Sequence, residues 1–206
     1  MNLLIVGATG GTGHELVKQA LHQEHTVTGF SRHASKLATQ YPALKVIEGD
    51  VADQAIVEKA VEGQDAVLSA LGSSSLKRNP ALTEGIKNIV KAMKQHHVKR
   101  LVYQSSLGVG DSRKQVSFLV RYIIIPLVLR NAIADHEDKE RIIRQSDLDW
   151  VIVRPAGLTD DSPTGDYRYG ETIEFGAKIA RADVADFMLK QVADNAFLQK
   201  TPGISY

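Results

Sequence analysis

The chain has 206 residues, 43% of them hydrophobic and 24% charged, which suits one α/β domain around a buried sheet and is short for two domains. A formal net charge of +1 without any basic block argues against nucleic acid as a partner. Cysteine is absent, which excludes disulfides and thiol chemistry and fits a reducing, cytoplasmic setting.

Short β-branched runs alternate with longer helical patterns, the order that builds βαβ units and a parallel sheet. NLLIV at 2–6 is apolar on both faces, as a central parallel strand must be when helices cover each side. This apolar start is short, has no basic lead and runs straight into glycines, so no signal peptide is predicted. Leu16, Val17, Ala20 and Leu21 then follow helical spacing. TVTGF at 26–30 reads as the second strand, a short helix begins near Ala34, and LKVIEGD at 44–50 reads as the third strand. A helix around 54–61 precedes a strand at 65–71. Ile86, Ile89, Val90 and Met93 recur at helical intervals before the fifth strand, KRLVYQSS at 99–106. LDWVIVRP at 148–155 is the sixth strand, preceded by a charged helix over 134–145 with Ile142 and Ile143 on its buried face. A last amphipathic helix covers 181–193. No repeat, low-complexity tract or linker interrupts, so a single domain over 1–206 is expected.

Between strands five and six, YIIIPLVL at 122–129 is too short to span a bilayer and is broken by Pro126. The longer arm at 116–130 has two readings. It either covers the core or forms a partly exposed lid at the mouth of a substrate site, where Arg121 and Arg130 would frame an acidic acceptor.

The chemistry starts at GATGGTG, residues 7–13. A helix start offers unpaired N–H groups and a partial positive charge, and an anion reaches them only where no Cβ intervenes. Gly7, Gly10 and Gly11 supply that access, Gly13 allows the helix to pack closely on the strand, and Thr9 and Thr12 add hydroxyls able to donate to phosphate oxygens. The segment reads as a nucleotide-phosphate cradle rather than a plain flexible turn. Its G-x-x-G-x-x-G spacing resembles the extended and atypical short-chain dehydrogenase/reductase superfamily. With that resemblance the expected fold is a Rossmann-type, doubly wound parallel sheet with a small irregular C-terminal portion.

At the end of the second strand an acidic residue would accept from a free ribose 2′-OH. Ser31 and Arg32 stand there instead, with Lys36 one helical turn on, and a guanidinium is shaped to pair with a phosphate. NADP(H) is therefore preferred over NAD(H). Through the resemblance, Asp50 and Val51 match an adenine-contacting dipeptide. Ala70, Leu71 and Gly72 match the strand end that runs beside the cofactor, and Pro155 ends the sixth strand on the nicotinamide side.

Typical members use a serine after the fifth strand and Tyr-x-x-x-Lys on the next helix. Here Ser105 and Ser106 are in place, but Ala132 falls on the tyrosine position and His136 on the lysine position. Neither Tyr103 nor Tyr122 is followed four residues later by lysine. The motifs FSRHASKL, VEGQDAVLSALG, EGIKNIVKAMKQHHVKRLV and PTGDYRY narrow the resemblance to the biliverdin-IXβ reductase/flavin reductase-like, NmrA-like branch. That branch implies hydride transfer from the cofactor to a planar acceptor such as a flavin or quinone, with Ser106 beside the nicotinamide. The branch's acceptor-pocket histidine falls on Gly157, which argues against a tetrapyrrole. His136 is the other catalytic candidate, as a proton donor, although a histidine on a charged helix is ordinarily a solvated surface group. No metal is expected, and the oligomeric state is left open. Two other readings stand: a non-catalytic NADP(H)-sensing regulator, favoured by the vacant tyrosine position, and a sugar-nucleotide epimerase or dehydratase, which would need that tyrosine.

Overall fold

The structure, a computed structural model, describes residues 1–72, 75 and 77–206, with Lys36 described by its backbone alone. The six predicted strands form: β1 (Asn2–Val6), β2 (Thr26–Ser31), β3 (Lys45–Glu48), β4 (Ala66–Ser69), β5 (Arg100–Gln104) and β6 (Asp149–Pro155). They are parallel, in the order β3-β2-β1-β4-β5-β6. Four short strands follow: β7 (Gly157–Thr159), β8 (Arg168–Gly170), β9 (Lys178–Ala180) and β10 (Gly203–Ser205). β10 joins β6 in parallel, and β8 closes that edge of the eight-stranded sheet as an antiparallel strand. β7 and β9 pair separately. The expected Rossmann-type architecture is therefore present, with one antiparallel edge strand added.

Helices α1 (Gly11–His22), α2 (Ser35–Gln40), α3 (Gln54–Val61), α4 (Pro80–Gln95), α5 (Arg130–Arg144) and α6 (Arg181–Lys190) lie between the strands. Local chemistry sets their starts. Asp53 caps α3 by accepting from the amides of Ala55 and Ile56, and Pro80 opens α4, where a missing N–H costs nothing. Strand alternation divides the core into two layers. Leu3 and Ile5 of β1 pack with Leu16, Val17 and Ala20 of α1 and with Phe187 and Met188 of α6. Leu4 and Val6 face the opposite way, toward Val57 of α3, Ile89 and Met93 of α4 and Ile143 of α5.

Two elements differ from expectation. α5 begins at Arg130, four residues before the predicted start, because it continues without a breaker from a π-helical stretch, Val120–Leu129. That arm sends Ile125 into a small core with Val109 and Ile133 but leaves Phe118, Leu119, Tyr122, Ile123, Leu127 and Val128 exposed. It is thus a cover on one face only.

Sheet order reverses at β1, which has β2 on one side and β4 on the other, and the crevice beyond these strand ends is where such sheets bind ligands. At the tip of β1, Gly7 adopts φ +81°, and a Cβ on it would come 2.8 Å from the carbonyl oxygen of Ala70. A Cβ on Gly13 would overlap the carbonyl oxygen of Gly7 itself, so α1 and β1 meet backbone to backbone. Gly13→Ala is expected to lower the free energy of unfolding by about 1–3 kcal/mol. Gly10→Ala should cost clearly less, since its Cβ would lie 3.3 Å from the same oxygen. Urea denaturation of both variants checks the ranking.

Candidate functional site

Two depressions meet at Ala70, Leu71 and Gly72 and form one cleft across the C-terminal ends of the parallel strands. The first, about 310 Å³, is lined by Gly7, Thr9 and Gly10 of the turn, by Ser31 and Arg32 after β2, and by Asp50 and Val51 after β3. Thr9 Oγ1 donates to Ser31 Oγ over 3.1 Å, tying the turn to the end of β2. Asp50 Oδ1 accepts from the amide of Ala52 over 2.9 Å and holds the corresponding turn after β3. Arg32 is exposed and has no ion-pair partner among the described residues. The side chain of Lys36, also expected here, lies outside the described residues.

Gly10 is the N-cap of α1 and offers no side-chain cap, and the first turn carries no acidic residue, leaving the helix start open to an anion. Not every residue of the motif reaches the cleft. Gly11, Thr12 and Gly13 line neither depression, and Thr12, expected to offer its hydroxyl to a phosphate, is buried by the first turn of α1. Gly11 instead makes room for a side chain that the sequence reading missed. Its Cβ would come 2.5 Å from Cδ of Arg181, the first residue of α6, whose Nη1 donates to Asp160 over 2.7 Å. Arg181 also lines the second depression, so it reaches both the start of α1 and the adjoining cavity.

That second depression, about 680 Å³, is walled by Val116, Val120, Ile124 and Leu129 of the arm, by Pro155, Ala156 and Gly157 after β6, and by Phe175. Among the described residues no carboxylate and no tyrosine lines it. Its polar groups include Gln104, Ser106 and His136. Gln104 Oε1 is buried with no hydrogen-bond partner among the described residues, an acceptor left free in the wall. Ser106 Oγ donates only to the neighbouring carbonyl of Leu107, over 3.2 Å. Ser105 lines the cavity as Ser106 does, but its hydroxyl is already engaged, donating to Glu140 Oε1 over 2.7 Å.

Glu140 centres a buried network. Arg154 of β6 donates to it twice, Nε to Oε1 over 3.0 Å and Nη2 to Oε2 over 2.7 Å, and its Nη1 reaches Asp111 over 2.7 Å. Their side chains are 1% and 5% exposed, so neither charge is tolerable without the other. Burial alone would depress the Arg154 pKa, but hydrogen bonds and charge from Glu140 and Asp111 outweigh it and raise the value. The pair fastens α5 to β6, and Ser105 adds the end of β5.

His136 is not the solvated surface group expected of a charged helix. It lines the cavity, and Tyr103 of β5 sits behind it with its hydroxyl 3.0 Å from Nδ1. Burial pushes the Tyr103 pKa well above 10, and Glu140 and Asp135 add to this, so its proton is retained and the neutral phenol can either donate to Nδ1 or accept from it, according to the imidazole tautomer. Burial, with a smaller contribution from Lys139, holds the His136 pKa down at about 3, which leaves the imidazole neutral near pH 7. Lys139 is lowered by burial as well, partly offset by Asp135. A free-standing Arg inside the apolar run VIVRP is the one sequence signal that foretold a buried ion pair; Tyr103, Gln104 and Arg181 carry no local signal of their placement.

A parallel sheet with a bare helix start at its switch point, and a mostly apolar cavity beside it, defines a dinucleotide-binding domain. Comparison with known proteins gives the family. The chain belongs to the NAD(P)H-binding family, whose model matches residues 7–195, and with it to the atypical, NmrA-like short-chain dehydrogenase/reductases. These are oxidoreductases with reductases among them. The solved anaerobilin reductase ChuY of Escherichia coli O157:H7 superposes with a TM-score of 0.82 at 25% identity, over 100% of this chain and 97% of that one. The Photosystem II assembly factor Ycf39 of Synechocystis is 28% identical over 166 residues, 77% of this chain and 45% of that factor, so the match spans under half its length. A short-chain dehydrogenase/reductase of Veillonella parvula, solved with NADP, shares the fold with a TM-score of 0.83 at 20% identity, covering 100% and 94% of the two chains. Among the described residues no helix is long and apolar enough to cross a membrane, and no group of three His, Cys, Asp or Glu could hold a metal ion.

The lowered pKa of His136 has a consequence for stability. Below pH 6.5 the unfolded chain takes up a proton on this ring that the fold refuses until about pH 3, so stability present above pH 6.5 is lost as the pH falls through that window. His136→Asn keeps an acceptor for Tyr103 but does not titrate. Its unfolding free energy should fall less steeply between these limits than that of the wild type, by up to about 1.4 kcal/mol per pH unit. Denaturant titrations across the range measure the difference.

Proposed function

We propose that this chain is an NADPH-dependent reductase that passes a hydride to a planar, conjugated acceptor of the flavin or quinone class. The observation that carries the reading is the two-part cleft. One part offers an open helix start, a glycine turn and an unpaired Arg32; the other is apolar and contains neither a carboxylate nor a tyrosine among its described lining residues.

The cofactor, when bound, supplies the hydride; the protein aligns donor and acceptor and keeps water away. Gly7 and Gly10 leave the start of α1 accessible to a diphosphate, and the Arg181 guanidinium, lying over Gly11, is available to offset its charge. Ser31 and Arg32 would receive the 2′-phosphate, and Asp50 and Val51 would flank the adenine. Ala70, Leu71 and Gly72 connect the two parts, and Pro155, which lines the larger one, would bound the nicotinamide. The free Gln104 Oε1 fits a carboxamide donor at that end. Ser106 and the neutral imidazole of His136 would then orient the acceptor, with the Tyr103 hydroxyl holding the ring from behind. An alcohol substrate needs a group that takes its proton, and no lining residue has the lowered tyrosine pKa for that task. A reduced flavin or quinone can be protonated by water.

A second reading, a dinucleotide-sensing regulator without turnover, is favoured by one feature: Tyr103 is fully buried and Ala132 occupies the usual tyrosine position, so no tyrosine acid reaches the cavity. Anaerobic NADPH oxidation against a panel of flavins, quinones and anaerobilin separates the two. Turnover with a conjugated acceptor is expected; tight NADPH binding without turnover on any of them would leave the sensing reading. For the cofactor, Arg32→Ala should weaken NADPH binding by about 10- to 100-fold while leaving NADH within roughly twofold. Fluorescence titration of both nucleotides measures the split, and an equal effect on both would remove Arg32 from the 2′-phosphate.

A further inference from the structure

The arm between β5 and α5 has a second face that the cleft does not use. Its inner side, Val116, Val120, Ile124 and Leu129, walls the larger cavity. Its outer side exposes Phe118 at 75% and Leu127 at 78%, with Leu119, Tyr122, Ile123 and Val128 each about half exposed. These positions recur every four to five residues, so the π-helical winding holds them in one stripe. An exposed apolar stripe of this kind on a water-soluble surface marks a contact site.

Charge identifies what the stripe meets. Residues 112–134 contain Arg113, Lys114, Arg121 and Arg130 and no carboxylate. Arg113, Pro126 and Arg130 line one surface pocket, in which Glu137 of α5 is the one acidic residue among the described lining residues. The Arg121 guanidinium lies 5.0 Å from the centre of the Tyr122 ring, at the border of the stripe. Large apolar side chains flanked by arginines, with an aromatic ring at the boundary, match the interface of a bilayer that carries anionic headgroups. A second copy of this chain would bring the same cations face to face, which disfavours it as the occupant.

We propose that the outer face of this arm docks on an anionic lipid surface, with Phe118 and Leu127 entering the headgroup region and Arg113, Arg121 and Arg130 contacting phosphates. Because the same arm walls the larger cavity, docking sets the cavity beside the bilayer, where amphiphilic acceptors partition. The proposal goes beyond the cofactor reading and does not need it to hold.

Sedimentation of the full chain with vesicles tests it without any activity measurement. Phosphatidylcholine vesicles containing phosphatidylglycerol should carry the protein down, vesicles of phosphatidylcholine alone should carry much less, and added salt should release it. Phe118→Ser with Leu127→Ser, and separately Arg113→Gln with Arg130→Gln, should each weaken binding roughly tenfold or more without altering the thermal unfolding midpoint, since these side chains are exposed. No association with the anionic vesicles, or equal association with both compositions, overturns the proposal. So does self-association in sedimentation velocity that the apolar double variant abolishes while vesicles go unbound, which would give the face to a second copy. The lipid-composition and salt series on the wild type decide the question even if a variant fails to fold.

Discussion

One backbone-to-backbone contact governs the geometry of the site: the carbonyl of Gly7 lies where a side chain on Gly13 would be. It lets the first turn of α1 sit directly on the tip of β1, so the helix start opens onto the crevice between β2 and β4 rather than standing off from it. The amide of Gly7 donates to the carbonyl of Phe30 over 2.9 Å, which carries the end of β2, and with it Ser31 and Arg32, to the same place. The groups proposed to face phosphate and ribose are thereby set by main-chain geometry, which is less deformable than any side-chain arrangement.

The other half of the cleft is held by charge instead. The Glu140–Arg154 pair, with Ser105 and Asp111, ties β5, β6 and α5 together behind the wall. These charges are satisfied among themselves and stay out of the cavity. Among its described lining residues the cavity carries one charged side chain, Arg181, and otherwise neutral polar groups. Such a buried pair contributes more to fixing geometry than to net stability, because desolvation offsets much of the attraction.

The regular part of the fold was legible in the sequence because the inner strands β1, β2, β4, β5 and β6 are buried along most of their length and β-branched or apolar residues dominate them, while the helices between them carry an apolar stripe; β3, at the sheet edge, is only half-buried. The glycine turn and Arg32 were legible because their chemistry is local to a few residues. What sequence could not show depends on distance in the chain. β8 and β10 are three residues each and exist only through pairing with each other and with β6. The Tyr103–His136 contact joins a strand to a helix 33 residues on, and that separation turned an apparent surface histidine into a half-buried one that lines the cavity. Arg181 reaches Gly11 only because α6 packs beside α1. Thr12 shows another effect of distance from the cleft: it sits in the first turn of α1, buried and off the lining of both depressions.

The pairing of β10 also bears on which parts of the chain hold the site. The amide of Arg154 donates to the carbonyl of Pro202, that of Ala156 to Ile204, and that of Tyr206 to Lys178, while the Tyr206 hydroxyl donates to Asp183 over 2.6 Å. The cavity wall after β6 and the helix that presents Arg181 are thus braced by residues 202–206, which follow every other described part of the cleft along the chain. The glycine turn and β1 to β5 find their sheet partners within the first 104 residues, whereas the wall of the larger cavity gains its backbone partners only from this distant segment.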